Sequence, residues 1–347
     1  MVWAHRVEAG LARLWWHTKA PAAALWLMPL SWCYRAVTAT RRLAYQMGWL
    51  KAERAPVPVI VVGNLIAGGA GKTPTVIALV AALRAAGRVP GVISRGHGRQ
   101  GDGAAAVTEY SDVKTVGDEP LLILRRTRAP VWVARRRVDA ARALCATHAE
   151  VDVLVADDGL QHLALARDVQ VVVFDDRGVG NGQLLPAGPL RQPLSAYVPV
   201  NTHVLYNAPG PSTRWHGATA GRSLAGALPL LDWWRGGTPQ METLHALRGR
   251  ALSAAAGMAA PQRFFDMLRA EGLVFTALPL PDHFAYDSLP WPANGADVLV
   301  TEKDAVKLPP PGAGAGSTRI WVVALDFQLP DEFVADVLNN LRLAYRP

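Results

Sequence analysis

The run Ile66-Ala67-Gly68-Gly69-Ala70-Gly71-Lys72-Thr73 joins an apolar stretch, Val57–Val62, to a helix-compatible stretch that begins at Pro74. A strand, a glycine loop, Lys-Thr and a helix in that order make a phosphate cradle. Loop N–H groups wrap the anion and the helix N-terminus adds its positive dipole end. In such a cradle residues 66–73 all lie against the nucleotide, Lys72 reaches the β/γ-phosphates and the Thr73 hydroxyl is offered to Mg²⁺. ATP or GTP chemistry is the expectation. Ile66 departs from the usual pattern, which has glycine six residues before the lysine, although Gly68 and Gly69 still permit close backbone approach. Partitioning-type ATPases carry a second lysine just before the Gly-Gly pair. Here that position is Ala67, which argues against that class.

Other segments hold groups of the same chemistry. The apolar run Val151–Ala156 ends in Asp157-Asp158-Gly159-Leu160-Gln161-His162. Carboxylates at a strand end are how P-loop enzymes hold Mg²⁺. Two adjacent acids repel unless a cation or donor sits between them, so Asp157 and Asp158 are metal candidates, with a polar turn as the plainer reading. Phe174-Asp175-Asp176-Arg177-Gly178 has a similar shape, but Asp-Arg-Gly is also an ordinary turn. Asp118, in Gly117-Asp118-Glu119-Pro120, is either a helix cap or a general base. His283 follows Pro281-Asp282 and is either a surface residue or a catalytic one. Thr301-Glu302-Lys303-Asp304-Ala305-Val306-Lys307 follows a strand, so its charges either line a ligand-binding sheet edge or form a solvated run. Arg95, Arg99 and Arg135-Arg136-Arg137 could bind substrate phosphate, and a solvated helix start explains the triple arginine equally well. Arg191 is the better candidate, because the glycine and prolines of Leu184–Leu190 fix its loop.

The elements that must position these groups alternate. Strands are expected at Val57–Val62, Val89–Ser94, Val131–Ala134, Val151–Ala156 and Val169–Phe174, with helices at Pro74–Ala86 and Val138–His148 between them. Near-continuous Val/Ile/Leu runs imply strands buried on both faces of a parallel sheet. From Tyr206 to Glu242 the pattern degrades into Pro, Gly, Trp and Arg, which reads as a join between lobes with room for short strands. It resumes with strands near Ala251–Ala256, Val274–Leu278, Val298–Thr301 and Ile320–Leu325 and helices at Pro261–Glu271 and Pro330–Leu343, with a Pro/Gly loop at Leu308–Ser317. The fold class is therefore α/β: a P-loop NTPase-like parallel sheet, a second smaller α/β lobe and an N-terminal helical arm. The expected boundaries are 1–56 for the arm, 57–210 for the first lobe, 211–245 for a linker and 246–347 for the second lobe.

The chain of 347 residues has a net charge of +8, unevenly spread. Residues 1–56 hold eight Lys/Arg against two acids, a net +6, and six of the twelve tryptophans. The body is close to neutral, which excludes a nucleic-acid-binding surface as the source of the basic balance. Arg and Lys mixed with Trp and an apolar stretch point to a membrane surface. The uncharged window Ala20–Tyr34 falls short of the ~20 residues of a spanning helix and contains Pro21 and Pro29. A peripheral or shallow anchor is the favoured reading over a spanning helix or an arm packed on the core. Cys33 and Cys145 form no CxxC pair, so a thiol metal site and a disulfide framework have no support and a reducing compartment fits.

Together these segments resemble the tetraacyldisaccharide 4′-kinases, the lipid A 4′-kinases of Gram-negative bacteria. The resemblance runs through Pro58–Pro74, Ser94–Gly98, Gly117–Pro120, Asp157–His162, Gly180–Arg191, Asp282-His283 and Thr301–Lys307, in order and over nearly the whole chain. It implies two α/β lobes with the site between them and a membrane-associated N-terminus at the cytoplasmic face of the inner membrane. It implies ATP and Mg²⁺ as cofactors, and transfer of the γ-phosphate to the 4′-hydroxyl of an acylated disaccharide 1-phosphate, giving the lipid A precursor lipid IVA. An acid–histidine dyad maps onto Asp118 and His283, with Asp118 helping to remove the hydroxyl proton and His283 orienting or sharing it. Asp157 and Asp158 would meet Mg²⁺, and Arg95, His97, Gln161 and Arg191 are the substrate-side candidates. His97 stands where the family usually has Tyr, and Gln192 where it usually has Glu. The lipid acceptor is the partner implied, with neither nucleic acid nor a protein partner. A soluble P-loop kinase of a small metabolite and a nucleotide-driven switch or maturation ATPase are the alternatives.

Overall fold

The computed structural model describes residues 10, 14–16, 22–292, 295–309 and 318–344. Trp3, Arg6, Glu8, Arg13 and Lys19 of the basic arm, the start of its uncharged window, and residues 310–317 of the expected Pro/Gly loop lie outside these residues.

The first sheet is built on Val59–Gly63 (β1), whose five residues are all buried. Pro90–Ser94 (β2), Ala105–Ala106 (β3), Val131–Val133 (β4), Val153–Ala156 (β5), Val169–Asp175 (β6), Thr202–Asn207 (β7) and Ala218–Thr219 (β8) complete it. Their order is β3-β4-β2-β5-β1-β6-β7-β8, parallel except at the short edge strand β3. β1 lies between β5 and β6, with Ile60 opposite Val155 and Val169. A strand hydrogen-bonded on both edges and covered on both faces has no wet side, which is why its sequence is an unbroken apolar run. The crossover helices are Lys72–Ala85 after β1, Asp118–Thr127 before β4 and Arg137–Thr147 before β5.

The second sheet has the order β11-β10-β12-β13-β9, from Gly221–Pro229 (β9), Leu252–Gly257 (β10), Thr276–Leu280 (β11), Asp297–Thr301 (β12) and Ile320–Gln328 (β13). It is parallel apart from the edge pair β13–β9. Residues 211–245, expected as a join with room for short strands, supply β8 to the first sheet and β9 to the second, followed by the short helices Leu230–Trp234 and Met241–His245. Only Thr219 and Gly221 flank the crossing at Ala220. β9 was illegible because Gly221, Ala225, Gly226 and Ala227 dilute any strand-forming pattern, and its antiparallel pairing to β13 stabilises it instead.

The last helix, Asp331–Ala344, was expected within the second lobe. It also packs back toward the first: Phe333, Val337 and Leu341 are buried in the core cluster that holds Val80 and Leu205, and Asn340 Nδ2 lies 3.0 Å from His203 Nε2 on β7. One continuous apolar cluster thus joins the two sheets.

The arm contains Ala22–Leu25 and Met28–Gln46. Pro29 sits in the first turn of the second helix, where its missing N–H costs nothing. Among the described residues no helix is long and apolar enough to cross a membrane. The arm is seated on the first lobe by polar contacts. Ser31 Oγ donates to Leu184 O at 2.8 Å and accepts from Ala187 N at 3.0 Å, and Tyr34 OH donates to Arg191 O at 3.0 Å.

Candidate active site

The phosphate loop leaves β1 and turns into the helix Lys72–Ala85 through Gly71. Gly68 and Gly71 have φ of 86° and 97°, the left-handed region that favours glycine, and a Cβ on Gly71 would overlap the Asn207 amide. Ile66 has no such demand. It is fully buried, bridges Leu190 in extended conformation, and its neighbour Ala67 donates from N to Pro189 O at 2.7 Å. The departure at Ile66 is therefore a core side chain in a braced segment.

Three successive loop carbonyls each accept from a side chain. Asn64 Nδ2 donates to Gly68 O at 2.9 Å, Arg177 Nη2 to Gly69 O at 2.5 Å, and Asn207 Nδ2 to Ala70 O at 3.1 Å. In a planar trans peptide the C=O and the following N–H point in opposite directions. Holding these carbonyls outward therefore directs the N–H groups of Gly69, Ala70 and Gly71 away from those side chains. Such a row of oriented amides is an anion nest.

Lys72 is 8% exposed, with Nζ 3.4 Å from Asn64 Oδ1 and 3.6 Å from Asp158 Oδ1. Asp158 is also paired with Arg191, 3.2 Å from Nη1. Burial pushes the Asp158 carboxyl up, but Lys72 and Arg191 outweigh it and hold it below its ordinary value. Asp157 is in the opposite situation. It is 1% exposed, its Oδ1 has no hydrogen-bond partner, and Ser94 Oγ reaches Oδ2 only at 3.4 Å. Burial, with Glu119 and Asp158 nearby, raises its pKa to about 7. A buried carboxylate oxygen without a donor calls for a cation or a proton.

The structure brings Asp118 and His283 together. Asp118 is the first residue of the helix Asp118–Thr127: its Oδ1 accepts from Glu119 N at 2.9 Å while its Oδ2 meets His283 Nδ1 at 2.8 Å. His283 comes from the turn after β11 in the other lobe and has φ of 57°. Asp118 is 4% exposed. Burial alone would raise its carboxyl, but the His283 hydrogen bond and the charge of Lys303 outweigh burial and hold it at about 2. The same hydrogen bond raises the His283 imidazole above its ordinary value. Lys303 Nζ donates to Glu119 Oε1 at 3.2 Å and to Asp282 Oδ1 at 3.0 Å, one acceptor from each lobe. Its ammonium pKa is raised because these carboxylates overcome its burial. Thr301–Lys307 is thus no solvated run: Glu302 and Asp304 are buried, and Asp304 accepts from Gly257 N, Thr301 Oγ1 and Lys307 Nζ.

Between the lobes lies a cavity of about 310 Å³. Lys72, Thr73, Glu119 and Lys303 line it, together with the apolar side chains of Ile77, Leu122, Leu224, Phe264 and Val323. Gln161 sits beside Arg191 and donates to Asn64 O at 3.0 Å. His97 is exposed, with its ring centroid 5.4 Å from that of His283, so it flanks the dyad. Arg95 is exposed at the end of β2. Arg137 is structural, buried and donating to Asp157 O and Asp158 O at the strand-end turn, while Arg136 and Arg142 pair with Glu53. Asp175 is also not a free acid, since it is fully buried between Arg177 and Arg263. Asn64, Glu119, Asn207 and Arg177 were not singled out from the sequence, and Lys303 was so only as one charge of the run Thr301–Lys307. Glu119 had a signal, its place beside Asp118; Asn207 had none, because β7 itself went unrecognised.

Oriented loop amides and Lys72 on one wall of a cavity, with Glu119 and Asp282, the chain neighbours of the Asp118–His283 pair, also lining it, fit the layout of a P-loop phosphotransferase. The sequence profile of tetraacyldisaccharide-1-P 4′-kinase matches residues 23–342. The tetraacyldisaccharide 4′-kinase of Leptothrix cholodnii is 52% identical over 341 residues, covering 97% of each chain. That of Methylibium petroleiphilum is 52% identical over 338 residues, covering 95% of this chain and 92% of the relative. The crystal structure of LpxK from Aquifex aeolicus in complex with ATP superimposes with a TM-score of 0.72 at 24% identity, covering 92% of this chain and 99% of that one. The chain belongs to the tetraacyldisaccharide-1-P 4′-kinase family.

Proposed function

We propose that the protein transfers the γ-phosphoryl group of ATP to the 4′-hydroxyl of tetraacyldisaccharide 1-phosphate, producing lipid IVA, with the residue roles that follow. The observation that supports them is the Asp118–His283 pair, drawn from two lobes, whose chain neighbours Glu119 and Asp282 line the same cavity as Lys72. The oriented amides of residues 69–71 and Lys72 hold the triphosphate, and the apolar side chains of the inter-lobe cavity take the base. The transition state asks mostly for positioning and charge neutralisation, which these groups supply without covalent chemistry.

The 4′-hydroxyl must lose a proton as it attacks. Both Asp118 oxygens are engaged and its side chain is buried, whereas the His283 side chain is 35% exposed. With Nδ1–H donating to Asp118, the imidazole keeps its Nε2 lone pair. The proton therefore passes to the dyad through His283, and Asp118 fixes the tautomer and balances the imidazolium that forms. Asp118 as the direct acceptor, the role implied by the resemblance, is less well supported by its burial and low basicity.

A Mg²⁺ ion fits the donors present. Asp157 Oδ1 is buried and unpartnered, and Thr73 lies in the first turn of the helix as the P-loop pattern requires. Among the described residues no three His, Cys, Asp or Glu groups cluster as a metal cage. This suits an ion held by one or two protein groups and by phosphate oxygens. Asp157 and Thr73 would hold it, while Asp158, already paired with Lys72 and Arg191, serves chiefly to place those cations. When bound, Mg²⁺ supplies charge neutralisation on the triphosphate.

The acceptor is a lipid, and the arm suits a membrane surface. Nine large apolar residues between Leu25 and Leu50 are exposed, with Trp26 at 87%, and they alternate with Arg35, Arg41 and Arg42. An apolar, basic helical face of this kind binds anionic lipid in the interface plane. That supports a seat at the cytoplasmic face of the inner membrane. Mass spectrometry of the product from purified protein, ATP and the acylated disaccharide tests the function. A gain of one phosphoryl group is expected, abolished in Lys72→Ala and Asp118→Ala. ATP consumption indifferent to the lipid would overturn it.

A further inference from the structure

Asp175 and Arg177 end β6 with no part in the reaction described above, yet they occupy a junction. Asp175 is completely buried, accepts from Arg177 Nε at 2.9 Å and Nη2 at 2.6 Å, and lies 3.3 Å from Arg263 of the second lobe. The same Nη2 of Arg177 donates to Gly69 O of the phosphate loop. The face of its guanidinium is covered by the Trp16 ring, 4.4 Å from the guanidinium carbon to the ring centroid.

We propose that Arg177 is a positioning residue of the phosphate loop, and that it relays the docking of the N-terminal arm, through Trp16, to the loop's grip on nucleotide phosphates. This rests on the reading that the loop holds the phosphates of ATP. Of the three side chains that fix loop carbonyls, Asn64 directly follows β1 and Asn207 ends β7, and both are buried. Arg177 instead sits in the turn after β6, so its orientation depends on what surrounds its long side chain. Asp175 holds its edge by charge-assisted hydrogen bonds. Trp16 holds its face, as a cation over an aromatic ring.

Trp16 is itself held by docking. Trp15 Nε1 donates to Pro186 O at 2.9 Å, Asn181 N donates to Trp15 O at 2.8 Å, and Asn181 Nδ2 reaches Leu14 O at 3.2 Å. These contacts fall on the loop 181–191 that also braces Ala67 and Leu65 from the other side of the phosphate loop. When the arm leaves this seat, Arg177 loses the ring over its face. The Gly69 carbonyl is then less well held, and the Ala70 N–H is no longer fixed toward the phosphates. An arm docked on loop 181–191 and an arm lifted from it would thus differ in affinity for ATP.

Equilibrium binding of ATP, ADP and adenosine to full-length protein tests this without any lipid acceptor. Arg177→Lys keeps the charge but loses the forked geometry. It should weaken ATP and ADP roughly tenfold. Trp16→Leu should weaken them about threefold, and Trp16→Phe, which keeps an aromatic face, should restore most of that loss. Adenosine has no phosphates and should bind all variants within about twofold of wild type, which separates a loop effect from general destabilisation. Because Trp16 acts through Arg177, the double variant should be no weaker than Arg177→Lys alone. KM for ATP should rise in each variant more than kcat falls. Unchanged ATP binding in either single variant, a parallel loss of adenosine, or losses that multiply in the double variant would each overturn the relay. A wild-type protein that yields no phosphorylated lipid would refute the kinase reading instead, and these affinities would still decide the relay.

Discussion

Replacing His283 with alanine removes one half of a buried charge pair that spans the lobes, and the consequence depends on pH in a defined way. Asp118 is 4% exposed, and its carboxyl is held at about 2 against an ordinary 3.8. Burial acts the other way, so the downward shift reflects partners strong enough to overcome it, the His283 hydrogen bond first and Lys303 next. A carboxyl so displaced contributes up to about 2.5 kcal/mol to stability at neutral pH. For a depressed carboxyl that contribution is present above the unfolded value and is lost as pH falls through about 2. His283 is shifted upward, mainly by its hydrogen bond to Asp118. Its contribution is present below the unfolded imidazole value of ~6.5 and is lost as pH rises through the higher folded value. The two windows overlap between about pH 4 and 6.5. Urea unfolding of wild type and His283→Ala should therefore differ most near pH 5, by about 2 kcal/mol, and converge toward alkaline and strongly acid pH. Initial rates at saturating ATP should fall about 10²- to 10⁴-fold in the variant, the usual scale for loss of a general base. A stability difference that stays constant from pH 3 to 9, or a rate within tenfold of wild type, would refute the coupling of Asp118 and His283.

In the wild-type protein, kcat/KM should rise with pH along an acid limb centred above the ordinary imidazole value, because His283 must be unprotonated to accept the hydroxyl proton and its pKa is raised. A limb centred near 4 would place the proton on a carboxylate instead. Gly71→Ala should destabilise the protein by about 2 kcal/mol in urea unfolding, since it forces a Cβ into the left-handed region and against Asn207, and it should weaken ATP binding as the Ala70 carbonyl loses its donor. Deleting residues 1–50 should abolish flotation with anionic vesicles, and raising ionic strength should weaken flotation of the intact protein, because the arm's basic residues act through screened charge. Unchanged flotation after the deletion would remove the arm from the membrane.

What the sequence made legible was local. β1, β5 and β6 are continuous Val/Ile/Leu runs because they are buried on both faces, and their observed limits lie within two residues of the expected ones. The phosphate loop was legible because glycine, lysine and threonine act there within eight consecutive residues. β7 was not expected, and β8 and β9 could be given no position within their irregular stretch, because these strands depend on pairing partners elsewhere in the chain and their own residues, such as Thr202-His203 or Gly226-Ala227, have no distinctive periodicity. Asp118 and His283 were each ambiguous by residue type. Only the fold brings these positions, 165 residues apart, to 2.8 Å, and family resemblance rather than spacing connected them in advance. Asp175-Asp176 shows the converse. As text it matched Asp157-Asp158, yet Arg177 and Arg263 neutralise one pair while the other keeps an unpartnered oxygen.

The phosphate loop's irregular text has a physical explanation in that contrast between local and distant. A glycine is needed where φ is positive, and in this loop that is so at Gly68 and Gly71. Ile66 lies before the curve begins, in an extended stretch paired with Leu190, and spends its side chain on the core between the loop and the segment that carries Arg191. An isoleucine there ties two parts of the site together that a glycine would leave separate. Arg191 N donates to Leu65 O on one side of Ile66 and Ala67 N to Pro189 O on the other, so the cradle and the Asp158-bound arginine move as one piece. The arm contacts this same piece through Ser31 and Tyr34. Ile66→Gly should accordingly loosen Arg191 and the arm as well as the loop. If the arm meets the membrane as proposed, that linkage would connect the lipid surface to the segment that braces the phosphate loop.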